Sequence, residues 1–170
     1  MDIRKVIIGV MGGGEILNQG DYEIARYLGA LIAKEGWILL NGGRSSGIME
    51  ASARGAKENG GVTIGILPGT DPNWASEYID IPILTGIGIA RNCINVLSSE
   101  VVIALPGSSG TISEIALALN IGKKVISLNF DLGSLFRGYE EQKQLIYARY
   151  PEQVIELIKE FIKNRLDKES

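Results

Sequence analysis

Histidine is absent from this chain of 170 residues, and that absence removes several chemistries at once. No Ser-His-Asp or Cys-His relay is available, and no His-containing zinc site is possible. Any proton transfer falls to carboxylates, lysine, tyrosine or water. A single cysteine, Cys93, excludes an internal disulfide and reads as a small buried residue. No apolar run approaches the roughly 18 residues that span a bilayer. Basic charge is scarce as well: 17 Lys and Arg stand against 20 Asp and Glu, for a net charge of −3. Such a surface offers no electrostatic footprint for nucleic acid. Residues 1–5 lead straight into a short buried-strand pattern, not into a cleavable signal. The expectation is a cytoplasmic protein with no nucleic-acid partner and no membrane.

Glycine is plentiful. The chain has 22, nearly twice the usual share of about 7%. They cluster at 12–14, 42–47, 60–69, 86–88 and 107–110, without a Gly-X-Y period. Clusters of that kind mark tight turns where backbone approaches something closely.

Short apolar runs alternate with helix-period segments. Residues 6–11, 37–40, 62–67, 101–105 and 124–128 read as strands, and 145–148 as a last short one. Residues 78–84 form a weaker strand that Pro82 assigns to an edge or an irregular position. Helices are expected over 22–34, 48–59, 89–97, 111–120 and 151–166. The last begins at Pro151, where a missing N–H costs nothing, and could cover the sheet or build an oligomer. Residues 131–143 carry no clean period. The alternation predicts α/β architecture. The expectation is a single domain over residues 1–170 built on a doubly wound, mainly parallel sheet of about 6–7 strands with helices on both faces. In such folds ligands bind outside the carboxyl ends of the strands. The glycine clusters 12–14, 42–43, 69, 86 and 107–110 all follow strands, so all belong on that rim.

The segment Pro106-Gly107-Ser108-Ser109-Gly110-Thr111-Ile112-Ser113-Glu114 is the most informative. It joins an apolar strand to the first turn of a helix. Helix starts carry free N–H groups and a partial positive charge, which together form an anion site. Gly107, Ser108, Ser109, Gly110 and Thr111 are therefore candidate phosphate ligands. The bland reading is that Ser109 or Thr111 simply caps the helix. Glu114 lies one turn further on. Its carboxylate can face a ligand or complete the acidic half of the helix start, and position leaves both open.

A second strand–turn–helix junction holds Gly42, Gly43, Arg44, Ser45 and Gly47. Arg44 offers a planar cation suited to phosphate or carboxylate, or is a solvated surface arginine. Gly12, Gly13 and Gly14 follow the first strand, but their spacing does not meet the dinucleotide fingerprint. Arg91 opens a helix against its dipole preference, which suggests a ligand or interface contact. Trp74 reads as loop packing or as a stacking platform.

These motifs together resemble the molybdenum cofactor carrier protein family. The residues that carry the likeness are Gly42-Gly43-Arg44…Gly47-Ile48-Met49-Glu50-Ala51, Gly65-Ile66-Leu67-Pro68, Thr85-Gly86…Ala90-Arg91-Asn92 and Pro106–Glu114. The family is related to the Rossmann part of the DNA-processing protein DprA. Its wider superfamily contains the LOG-type enzymes, which carry a lysine-decarboxylase label. The resemblance implies a Rossmann-like fold and a homodimer or homotetramer that binds a phosphorylated small molecule. In carrier proteins that ligand is of the molybdopterin type, held without chemistry. In LOG-type enzymes it is a nucleoside 5′-monophosphate whose N-glycosidic bond is hydrolysed. No cofactor is required for chemistry and no metal site is expected. The LOG arginine and glutamate that carry activity fall on Arg91 and Glu114. Several positions depart from the LOG pattern: Arg44 and Ser108 replace glycines, Asn92 replaces a lysine, and Ser113 replaces an acid. The departures favour a carrier over a phosphoribohydrolase. A DprA-like single-strand DNA binder is disfavoured by the acidic balance, and a decarboxylase by the lack of a cofactor-binding lysine motif.

Overall fold

The computed structural model describes residues 5–15 and 18–169. Its elements run β1 (Ile7–Met11), α1 (Gln19–Lys34), β2 (Ile38–Asn41), α2 (Gly47–Glu58), β3 (Thr63–Leu67) and β4 (Ile81–Leu84). They continue α3 (Asn92–Ser98), β5 (Val101–Ala104), α4 (Ser109–Asn120), β6 (Val125–Leu128), α5 (Arg137–Glu141), β7 (Leu145–Ala148) and α6 (Pro151–Glu169). Short 3₁₀ turns cover Pro72–Trp74 and Gly88–Arg91.

All seven strands join one sheet in the order β4-β3-β2-β1-β5-β6-β7. Every pairing is parallel. The chain winds outward from β1 to β4, then returns so that β5 lies against β1 on its free side. That reversal is the switch point of a doubly wound sheet, where diverging connections leave a crevice.

The apolar strands are buried on both faces because helices cover both. Successive strand side chains point to opposite faces, and β5 shows it. Val101 and Ile103 pack with Leu28 and Ile32 of α1, Ile48 of α2 and Ile158 of α6. Val102 and Ala104 pack with Val96 of α3 and Ile115 of α4. Full burial of side chains such as Leu28 or Ile115 contributes roughly 1.5–3 kcal/mol each.

Local signals set the boundaries. Helix α1 starts at Gln19, three residues before the predicted start, because Asn18 caps it. The Asn18 Oδ1 accepts the Asp21 amide at 2.9 Å. Helix α6 runs to Glu169, beyond the expected 166. Its Val154, Ile155 and Ile158 lie in the core with α1 and the sheet. Helix α5 lies inside 131–143 and has only five residues, too few to show a period. Strand β4 is one of the two edge strands, exposed along its length. Cys93 is exposed, contrary to expectation. The inward face of α3 carries Asn92, Asn95 and Val96, at helical spacing, and Cys93 falls beside it.

Helices α1 and α2 cross backbone to backbone. A Cβ on Gly29 would lie 2.0 Å from the Ser52 carbonyl oxygen, and one on Gly55 would lie 1.8 Å from that of Arg26. Neither obstacle is a side chain that can rotate away. Gly55→Ala must therefore push the helices apart, at an overpacking cost of about 1–3 kcal/mol. Thermal unfolding monitored by circular dichroism should show a Tm lowered by several degrees.

Candidate functional site

Three turns meet above the carboxyl ends of β1, β2 and β5, and the backbone of Gly13 joins them. Its N–H donates to the Pro106 carbonyl at 3.0 Å, and its C=O accepts the Ile48 amide at 2.9 Å. The neighbours leave no room for side chains. A Cβ on Gly47 would lie 2.1 Å from the Gly13 oxygen, and one on Gly107 would lie 2.9 Å from the Gly13 nitrogen. Gly47 also has φ +58°, in the left-handed region that favours glycine. Gly43 has φ +76°, donates its N–H to Asn41 Oδ1 at 2.8 Å, and packs on Gly65.

Beside this junction opens a cleft of about 300 Å³. Its wall includes Gly12, Gly13, Gly14, Gly42, Arg44, Ser108, Gly110 and Thr111, and Arg91 and Glu114 reach it as well. Gly43, Ser45, Gly47, Gly107 and Ser109 are not on the wall. Of these, Gly43, Gly47 and Gly107 hold the turns together, and Ser45 is exposed. Val10, Met11, Met49, Pro68, Ile89 and Asn92 complete the wall, and none of them stands out in the sequence as a site residue. Pro68 follows β3 and so sits on the rim where a ligand would be sought. Ile89 gives no signal in the sequence. Trp74 is exposed, rests against Gly69 and does not line the cleft.

Helix α4 presents its start to the cleft. Ser108 is the N-cap, yet no side chain caps the helix. The first α4 amide with a backbone partner is Ile112, bonded to the Ser108 carbonyl at 3.1 Å. Among the described residues, the amides of Ser109, Gly110 and Thr111 have no acceptor. Such unpaired N–H groups suit an anion. Among the described residues, nothing lies within 4 Å of where a Cβ on Gly110 would sit.

Two cations and one carboxylate line the cleft. The Arg91 guanidinium lies against Gly42, where a Cβ would come within 2.3 Å of Nη1. Its Nε is sealed from solvent without a partner. Burial lowers the Arg91 pKa, Glu114 opposes that shift and Arg44 adds to it. Glu114 is buried, and Asn95 Nδ2 donates to its Oε1 at 2.7 Å. Burial raises the Glu114 carboxyl above its usual range, against the pull of Asn95 and Arg91. Asn92 Nδ2 donates to Ser113 Oγ at 3.0 Å, and Ser113 Oγ donates to the Gly110 carbonyl at 2.7 Å.

Residues 5–155 match the model of the SLOG cluster4 family. The chain belongs to that family. The molybdenum cofactor binding protein of Rippkaea orientalis superposes on this SLOG cluster4 member with a TM-score of 0.89 at 52% identity. The match covers 94% of this chain and 99% of that one. The molybdenum cofactor carrier protein of Chlamydomonas reinhardtii superposes with a TM-score of 0.87 at 42% identity, over 94% and 99% of the two chains. A cytokinin riboside 5′-monophosphate phosphoribohydrolase of Mycobacterium tuberculosis is 36% identical over 95 residues. Those residues are 55% of this chain and 51% of the enzyme, so the likeness spans about half of each. The two LOG departures Asn92 and Ser113 are bonded to each other, so a neutral pair stands where the LOG pattern has a lysine and an acid.

Two substitutions probe this geometry. Gly42→Ala would place a methyl group against the Arg91 guanidinium and Met49 Sδ, both of which can move. Displacing a charged donor costs about 1.5–3 kcal/mol of binding. Calorimetric titration should show a phosphorylated ligand bound at least roughly tenfold more weakly, with Tm little changed. Glu114→Gln tests the buried carboxyl. Its folded-state pKa lies above its unfolded one, so the protonated form favours folding. That contribution is complete at acid pH and is lost as pH rises through the folded value. The variant should melt above the unsubstituted protein at pH 8, and the gap should close towards pH 4.

Proposed function

We propose that this protein binds and carries a phosphorylated ligand of the molybdopterin type, with the phosphate at the start of α4. The observation that carries this reading is the set of unpaired amides at the start of α4, of which those of Gly110 and Thr111 belong to residues on the wall of a cleft that also holds Arg91 and Arg44. Amides and guanidinium groups together bind a dianion through charge-assisted hydrogen bonds. Met49 and Ile89 give the same cleft apolar wall, suited to a ring system. The likeness to the Rippkaea and Chlamydomonas proteins over nearly their whole lengths supports a pterin-bearing ligand. The reading takes the protein as a cytoplasmic homodimer or homotetramer. The exposed Ile87, Ile89 and Leu97 supply apolar surface for such an assembly.

A second reading, hydrolysis of a nucleoside 5′-monophosphate, has one specific observation in its favour. Arg91 and Glu114 line the same cleft, and the environment of Glu114 favours a protonated carboxyl that could serve as an acid. The neutral Asn92–Ser113 pair weighs against it.

One measurement tests the phosphate turn that both readings share, and a second separates them. Gly110→Asp adds a carboxylate in open space beside the α4 amides, so it should abolish binding of a phosphorylated ligand while leaving the far-ultraviolet spectrum intact. Unchanged affinity removes the turn from the site. Incubation with AMP should release no adenine. Release that disappears in Glu114→Ala would replace the carrier reading with the hydrolytic one.

A further inference from the structure

A second cleft lies at the opposite rim, below the amino ends of β5, β6 and β7, where α6 crosses them. It encloses about 720 Å³, within the usual range for a small-molecule site. Its walls are apolar, from Val101, Ile146, Leu157, Phe161 and Ile162. Four cations also line it: Lys123, Lys124, Lys143 and Arg165. The carboxylates there are Glu100 and Glu160, and Glu100 is paired with Arg165.

The lysines are placed by the fold. Lys124 Nζ donates to the Lys143 carbonyl at 2.6 Å and lies 5.3 Å from the centre of the Phe161 ring. Lys123 Nζ donates to backbone carbonyls at Leu97 and Ser99. Among the described residues, none of the three lysines has a carboxylate partner. The cleft therefore keeps an excess of positive charge above an apolar floor.

Lys143 adds an independent observation. It follows the C-cap of α5 with φ +54°, in the left-handed region. Its N–H closes the helix end on the Glu140 carbonyl at 2.9 Å. Glycine is the residue of choice at such a helix end, and any side chain there is strained. A lysine held against that preference argues that its side chain serves a purpose other than folding.

We propose that this cleft is a second binding site, for a small organic anion with an apolar ring or chain. The hydrocarbon part lies between Phe161, Leu157 and Ile146, and the anionic head meets Lys143 and Lys124. The site is remote from the α4 turn and does not depend on it.

The test uses 2-naphthoate as probe and the neutral 2-naphthamide as its control, by calorimetry and amide chemical shifts. The full-length protein should bind naphthoate saturably and at least roughly tenfold more tightly than naphthamide, with shifts at β6, β7 and α6. Gly110→Asp should leave that affinity unchanged. Lys143→Gly removes the side chain and relieves the strain. It should raise Tm by about 2–4 °C while weakening naphthoate at least tenfold. A lysine with only a structural role would not separate in that way. Equal affinity for acid and amide, no saturation at millimolar probe, or full affinity in Lys143→Gly would each overturn the proposal.

Discussion

The backbone of Gly13 is the joint on which the candidate site is assembled. Its two hydrogen bonds hold the turn after β1 against the turn after β5 and against the start of α2. Each contact is backbone to backbone, and the flanking Gly47 and Gly107 leave no space for a Cβ. Backbone packing of this kind is stiff, because no side chain can rotate to absorb an error. It fixes the helix start of α4 relative to Arg44 and Arg91, which come from elsewhere in the chain. A preorganised set of donors loses little entropy when it receives an anion.

The doubly wound topology makes that joint possible. Strands β1 and β5 are neighbours in the sheet although about ninety residues separate them in sequence. Their connections leave in opposite directions, α1 and α2 on one face and α3 and α4 on the other. The cleft is the gap between those departures. The burial that stabilises the sheet and the opening of the cleft thus share one cause. The opposite rim has no such divergence. Its cleft is formed where α6 crosses the strand ends.

Much of this arrangement is legible in the sequence. Apolar runs followed by glycine place the turns on one rim, and Arg91, set apart by its place at a helix start, lies on the cleft. Proline in 78–84 limits that strand to an edge or an irregular position, and β4 lies at an edge. The sequence does not distinguish glycines that face the cleft from glycines that let two backbones touch. Gly110 and Gly107 lie in one motif, yet one meets open space and the other meets Thr111 and Gly13. That difference is tertiary, set by loops remote in sequence. The pairing of Asn92 with Ser113 is equally hidden, since it joins α3 to α4. The exposure of Cys93 and the short helix α5 escape for a simpler reason: neither leaves a periodic trace.

The account rests on unpaired α4 amides receiving an oxyanion. The most direct measurement is a titration of the ¹⁵N-labelled protein with inorganic phosphate, followed residue by residue. The account predicts saturable downfield shifts concentrated on the amides of Ser109, Gly110 and Thr111. Shifts confined to exposed lysines, or amides of the α4 turn that do not respond, would contradict it.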